Sequence, residues 1–143
     1  MSKPAQQRDY VFYLDECLGG NKVYNKLKEA GISVELHSAH FERGTPDEAW
    51  LPVVGKNRWV LLTQDRRIKW RKNEISALRE FKVCAFIVAA KALRGEEIGD
   101  LIVKAMPKIL RILKSTNPPL IAAINQDSVV EIREGQSRYP IKG

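Results

Sequence analysis

NRWVLLTQDRRIKW, residues 57–70, decides how the chain is read. An uncharged run of strand type ends at Thr63 and is followed, after Gln64, by an acid, Asp65, with Arg66 and Arg67 directly behind it. A second run, YVFYL at residues 10–14, ends in the same way with Asp15 and Glu16. Short, aromatic and β-branched runs without charge read as buried strands. Two strands therefore deliver carboxylates at their C-terminal ends.

Upstream of the quoted stretch, residues 21–30 place Val23, Leu27 and Ala30 at helical spacing, with Lys22, Lys26 and Lys28 turned elsewhere and Gly31 as a stop. Residues 32–36 read as the second strand. Strand, helix and strand in so few residues imply a parallel pair with a right-handed crossover. Thr45-Pro46-Asp47-Glu48 is a helix start, with Thr45 as N-cap and Pro46 at the first helical position, for a helix reaching about Val54. Residues 58–63 form the third strand.

Downstream, Asn73 caps a helix carrying Ile75, Leu78 and Phe81, and residues 83–88 form the fourth strand. Residues 95–115 hold the longest periodic segment. Ile98, Leu101, Ile102, Ala105, Ile109 and Leu113 line one stripe, with Asp100, Lys104, Lys108 and Arg111 opposite, and Pro107 is expected to bend this helix or reset its hydrogen bonding. Pro118 and Pro119 are expected to break the chain before a fifth strand at residues 120–124. A turn at residues 125–128 then pairs it with a short edge strand at 129–132.

The expected fold is a single-domain three-layer α/β/α arrangement with a mostly parallel central sheet and a C-terminal antiparallel edge hairpin. Residues 1–9 form a polar leader, 10–134 the domain and 135–143 a flexible tail. A length of 143 residues suits one core, and 44% hydrophobic with 29% charged residues argues against disorder. The N-terminal MSKPAQQRD lacks the apolar stretch of a signal peptide, and no apolar run reaches the roughly 18 residues that span a bilayer. Two cysteines give no disulfide framework. A cytoplasmic, membrane-free setting is expected.

In an open parallel sheet, ligands gather at the C-terminal edge of the strands. Asp15 and Asp65 follow strands directly, and Asp47 opens the helix after the second strand, so all three acids share that edge. Converging carboxylates raise each other's pKa unless a hard cation with oxygen ligands offsets their repulsion, which makes Mg²⁺ or Mn²⁺ the expected cofactor. Each acid alone has a plainer reading: Asp47 can complement a helix dipole, Asp15 can be a turn residue, and Asp65 can be held by Arg66 or Arg67. The net charge of +7 favours an anionic partner. In DRRIKWRK, the cations Arg66, Arg67, Lys69, Arg71 and Lys72 surround Trp70, a pattern that suits either a solvated turn or single-stranded nucleic acid. His37, His40 and Cys17 match no compact zinc spacing, and Gly19-Gly20 lacks the lysine and hydroxyl of a P-loop.

A strand ending in Asp15, Pro46-Asp47 opening a helix, and LLTQDRRI together resemble the PIN-domain superfamily, especially its compact PIN-like members related to VapC toxins. The resemblance covers roughly residues 10–93, and Thr63-Gln64-Asp65 is its most specific element. It implies a metal-dependent endoribonuclease that leaves a 5′-phosphate, with Asp15, Asp47 and Asp65 as catalytic acids. Asp15, Glu16, Asp47 and Asp65 would be ligands of Mg²⁺ or Mn²⁺. Glu16 stands in for a further acid that typical members carry on helices before the equivalent of Asp47, with Glu42 and Glu48 as alternatives. Thr63, Arg66, Arg67, Lys69 and Arg71 would contact single-stranded RNA, and a VapC-type antitoxin and a homodimer are implied as partners. Two rival readings stand beside it. One is a PIN-like module that binds RNA or protein without cutting. The other is a receiver-type phosphoacceptor domain, for which Ala89-Ala90 and Asn125 stand where a hydroxyl and a lysine are wanted.

Overall fold

The apolar runs become strands of one sheet in the computed structural model, which describes residues 10–18, 21–64, 72–90 and 93–137. In chain order the elements are β1 (Val11–Leu14), α1 (Asn21–Glu29), β2 (Ser33–Leu36), α2 (Asp47–Lys56), β3 (Val60–Gln64), α3 (Lys72–Glu80), β4 (Cys84–Val88), α4 (Gly95–Ser115), β5 (Thr116–Ile124) and β6 (Val130–Ser137). The sheet order is β2-β1-β3-β4-β5-β6, parallel throughout except for the β5–β6 hairpin. The expected three-layer architecture is therefore present.

Parallel strands are buried on both faces, which is why these runs are apolar without alternation. Phe12, Leu14, Val60, Leu62, Phe86 and Val88 pack with Val23 and Leu27 of α1 and with the apolar stripe of α4. On the other face, Tyr13, Leu61, Ala85 and Ile87 pack with Trp50, Leu51 and Val54 of α2 and Leu78 of α3. All six residues of the stripe expected on α4 are buried, and Asp100, Lys104, Lys108 and Arg111 are exposed. Pro107 does not interrupt the helix and lies on its exposed side.

Three local expectations are corrected. The N-cap of α2 is Pro46 and not Thr45, because the Thr45 hydroxyl donates to the Glu42 carbonyl at 2.6 Å and is spent there. Pro118 and Pro119, joined by a cis peptide bond, lie inside β5 instead of breaking the chain before it. The β5–β6 ladder skips from Asn117 to Ile121, so residues without an amide hydrogen fall where no ladder bond is made. The hairpin is also longer than the apolar pattern suggested, with Thr116 paired to Ser137. At its turn, Asn125 Oδ1 accepts the Asp127 and Val129 amides, and Ser128 donates to the Leu101 carbonyl of α4. Arg79 of α3 grips Glu134 of β6 through Nε at 2.7 Å and holds that carboxyl below its usual range.

The connections α1–β2, α2–β3 and α3–β4 end in one geometry. Gly31, Arg58 and Lys82 take positive φ, and the next residue's amide reaches back to the helix: Ile32 to Leu27, Trp59 to Val54 and Val83 to Leu78. Glycine is the ordinary occupant of that left-handed position. A residue with a Cβ costs roughly 1–2 kcal/mol there, so Arg58 and Lys82 are strained choices.

Gly99 brings α4 against α1, and a Cβ on it would lie 2.6 Å from Lys26 Cβ. Gly99→Ala gains about 1 kcal/mol of helix propensity but overpacks a contact with no flexible tip to yield. The expected result is a net loss of about 1–2 kcal/mol, read by urea unfolding.

Candidate functional site

The strand order reverses between β1 and β3, since β2 lies on one side of β1 while β3, β4 and β5 extend on the other. In α/β sheets the crevice beyond the C-terminal ends of such strands is where ligands bind. Asp15 follows β1 there, with its amide donating to the Leu62 carbonyl at 3.2 Å. Its side chain is 8% exposed, and the Thr63 hydroxyl donates to Asp15 Oδ2 at 2.6 Å. A carboxylate so deprived of water persists only with donors on its oxygens. Thr63, itself 2% exposed, is therefore turned into the fold toward Asp15.

Glu16 begins the short 3₁₀ turn after Asp15 and reaches sideways. Its Oε1 accepts the Gly44 amide at 3.0 Å and stands 4.0 Å from Arg43 Nε. It thus ties the end of β1 to the loop that leads into α2. Asp47 is the first residue of α2 and is half-buried, so its charge also complements the helix dipole. Asp65, Arg66, Arg67, Lys69 and Trp70 follow β3 in sequence but lie outside the described residues, as do Arg71 and the side chain of Lys72. Among the described residues no three His, Cys, Asp or Glu side chains come together as a metal-binding group.

One pair at this edge escaped the sequence reading. Leu14 and Leu36 are partners in register, and one residue past them stand Asp15 and His37. His37 is 3% exposed, and the Tyr13 hydroxyl shares a hydrogen bond with its Nδ1 at 2.5 Å. Tyr13 is a fully buried ring stacked against Trp50 and Trp59, with centroids 5.6 and 5.7 Å away. Burial first, then the charges of Asp15 and Glu16, push its phenol well above the ordinary tyrosine value. A protonated phenol can donate to Nδ1 or accept from it, according to the imidazole tautomer, and the other ring nitrogen is Nε2. That buried atom has no hydrogen-bond partner among the described residues. The signal available in sequence was position alone: His37 follows a strand, as Asp15 does.

A family model described as a PIN-like domain matches residues 10–90. No curated protein and no solved structure matches the chain.

Two outcomes follow from this geometry. Thr63→Val strips the bond from a buried carboxylate and is expected to cost about 1–3 kcal/mol in urea unfolding, whereas Thr63→Ser keeps the hydroxyl and costs less. Because the Tyr13 phenol is raised in the folded state, the stability it contributes is complete below its ordinary value of 10 and is lost as pH climbs beyond it. Unfolding curves on either side of pH 10 should show an alkaline decline that is smaller in Tyr13→Phe.

Proposed function

The chain belongs to the PIN-like domain family, and on that premise we propose that it is a metal-dependent endoribonuclease acting on single-stranded RNA. The family generally includes nucleases that depend on a divalent metal. The observation that carries the reading is the buried Asp15 carboxylate, held by Thr63 at the topological switch point.

The residues fit a hard cation in one respect that can be checked on them. Mg²⁺ is usually bound by one or two carboxylates together with waters and substrate phosphates, and an oriented carboxylate at a ligand-binding edge is such a donor. Asp15 and Asp65 would hold the ion, with Glu16 and Asp47 beside them. When bound, Mg²⁺ or Mn²⁺ supplies the charge that makes a water nucleophilic and offsets charge on the phosphate. Thr63 acts through Asp15, fixing the orientation of its carboxylate. Arg66, Arg67, Lys69 and Arg71 grip backbone phosphates, which sequence-independent binding requires. In the hydrolysis, the water oxygen bonds to phosphorus and the P–O3′ bond breaks. The departing 3′ oxygen ends protonated, a carboxylate of the set takes the water's other proton, and a 5′-phosphate remains.

A cytoplasmic setting and protein partners belong to the same proposal. No helix among the described residues is long and apolar enough to cross a membrane. A VapC-type antitoxin or a second copy of the chain has a candidate seat at β6, the last strand of the sheet, where Val129 and Ile132 are exposed. The engagement of Glu16 with Gly44 and Arg43 favours a second reading, a PIN-like module that binds RNA without cutting it.

A panel of single-stranded RNAs with Mn²⁺ separates the two. Nuclease action is expected in the wild type, absent from Asp15→Asn and Asp65→Asn, and lowered about 10–100-fold in Thr63→Val, whose hydroxyl supports a ligand. Arg66→Gln is expected to weaken RNA binding and steepen no salt dependence. Binding without metal-dependent products on any RNA would establish the non-cutting module.

A further inference from the structure

The end of the sheet opposite the acids also carries a built feature. A cleft of about 670 Å³ opens beneath the first residues of β3 and β4, between the end of α2 and the end of α4. This lies within the ordinary range of ligand pockets, roughly 300–1,000 Å³. It is distinct from the acid edge: Val60 lines the cleft while Gln64 closes the same strand, about 13 Å along it.

Its lining is chemically one-sided. Lys56, Arg58 and Lys82 contribute three exposed cations, and no Asp or Glu is among the lining residues. None of the three cations forms an ion pair among the described residues. Half-buried Trp59 and Phe81 line the cleft beside them, Trp59 with one ring face stacked on Tyr13. Two of these cations, Arg58 and Lys82, are the residues held at positive φ where glycine is the ordinary occupant. The equivalent position before β2 is Gly31, which does not line the cleft. Backbone strain retained at two points of one pocket is a mark of a functional site. The two turns are also locked together, because Gly55 packs so tightly on the Phe81 carbonyl that a Cβ would fall 2.2 Å from its oxygen.

We propose that this cleft is a second, metal-independent nucleotide site, in which Lys56, Arg58 and Lys82 take a phosphate and Trp59 and Phe81 flank the base. Cations fixed on rigid turns bind phosphate by charge-assisted hydrogen bonds, and aromatic walls give a base somewhere to lie. The nucleotide is either free or one unit of an RNA strand, and both present the same chemistry to the cleft. The site does not depend on RNA cleavage at the acid edge.

The test is calorimetry in EDTA, which removes cation-dependent binding at the carboxylates, with Trp59 indole shifts as a second readout. The probes are adenosine and uridine 5′-monophosphates, a short oligouridine and inorganic phosphate. Saturable nucleotide binding that moves the Trp59 signal is expected, weakened about tenfold by Arg58→Gly and by Lys82→Gly. Both glycine variants relieve the positive φ and are expected to melt no lower than the wild type, so lost binding would not reflect lost folding. Lys56→Gln, an exposed change, is expected to weaken binding in the same direction. Binding of the oligouridine alone with that sensitivity would place the nucleotide within a strand. Inorganic phosphate binding as tightly as the nucleotides, unaltered affinity in the variants, or no binding of any probe would overturn the proposal.

Discussion

A carboxylate shielded from water has to be met by donors, and at Asp15 that requirement reaches across two strands. The Thr63 hydroxyl arrives only because Phe12 pairs with Val60 and Leu14 with Leu62, so the β1–β3 register and the hydrogen bond stand or fall together. A slip of one residue would turn Thr63 to the opposite face and strand the acid. The apolar faces enforce the register from both sides, with Phe12 and Leu14 under α1 and α4 and Tyr13 under α2. Core packing and site geometry are thus one constraint, expressed at the point where the sheet changes direction.

Much of this was legible in the amino-acid order, for identifiable reasons. Strands buried on both faces leave unbroken apolar runs, and an amphipathic helix of the length of α4 leaves a stripe, so these elements declare themselves. The place of Asp15 was legible because parallel topology puts the ends of such strands on one edge. What could not be read were relations made by pairing. Nothing local shows that the Thr63 hydroxyl is turned toward Asp15. The Tyr13–His37 bond exists only once β1 lies beside β2. Thr45 and the two prolines misled because local propensity was overruled: the threonine hydroxyl found a nearer carbonyl, and the prolines settled where the β5–β6 ladder already lapses.

The two ends of the sheet have opposite character, and the chain direction explains how. The parallel strands run toward the acid edge, and β2, β3, β4 and β5 each enter the sheet at the other end soon after a helix has closed. Arg58 and Lys82 occupy that closing position, where their side chains project from turns fixed by backbone hydrogen bonds. Asp15 after β1, and Arg58 and Lys82 before β3 and β4, thus lie at opposite ends of one small sheet, separated by its apolar interior.

The placement of α4 bears on how the molecule comes to be folded. Val23 and Leu27 of α1 are buried in the cluster that α4 completes, yet α4 begins only at Gly95. On a ribosome, β1, α1, β2 and β3 would all have emerged while the face shared by α1 and α4 was covered by α1 alone. Closure depends on contacts between residues far apart in the chain, which makes folding slow and leaves apolar surface uncovered in the interval. The nascent chain is therefore most exposed to self-association after β3 has been made and before α4 arrives, with both strands that carry the Asp15–Thr63 pair already outside the ribosome.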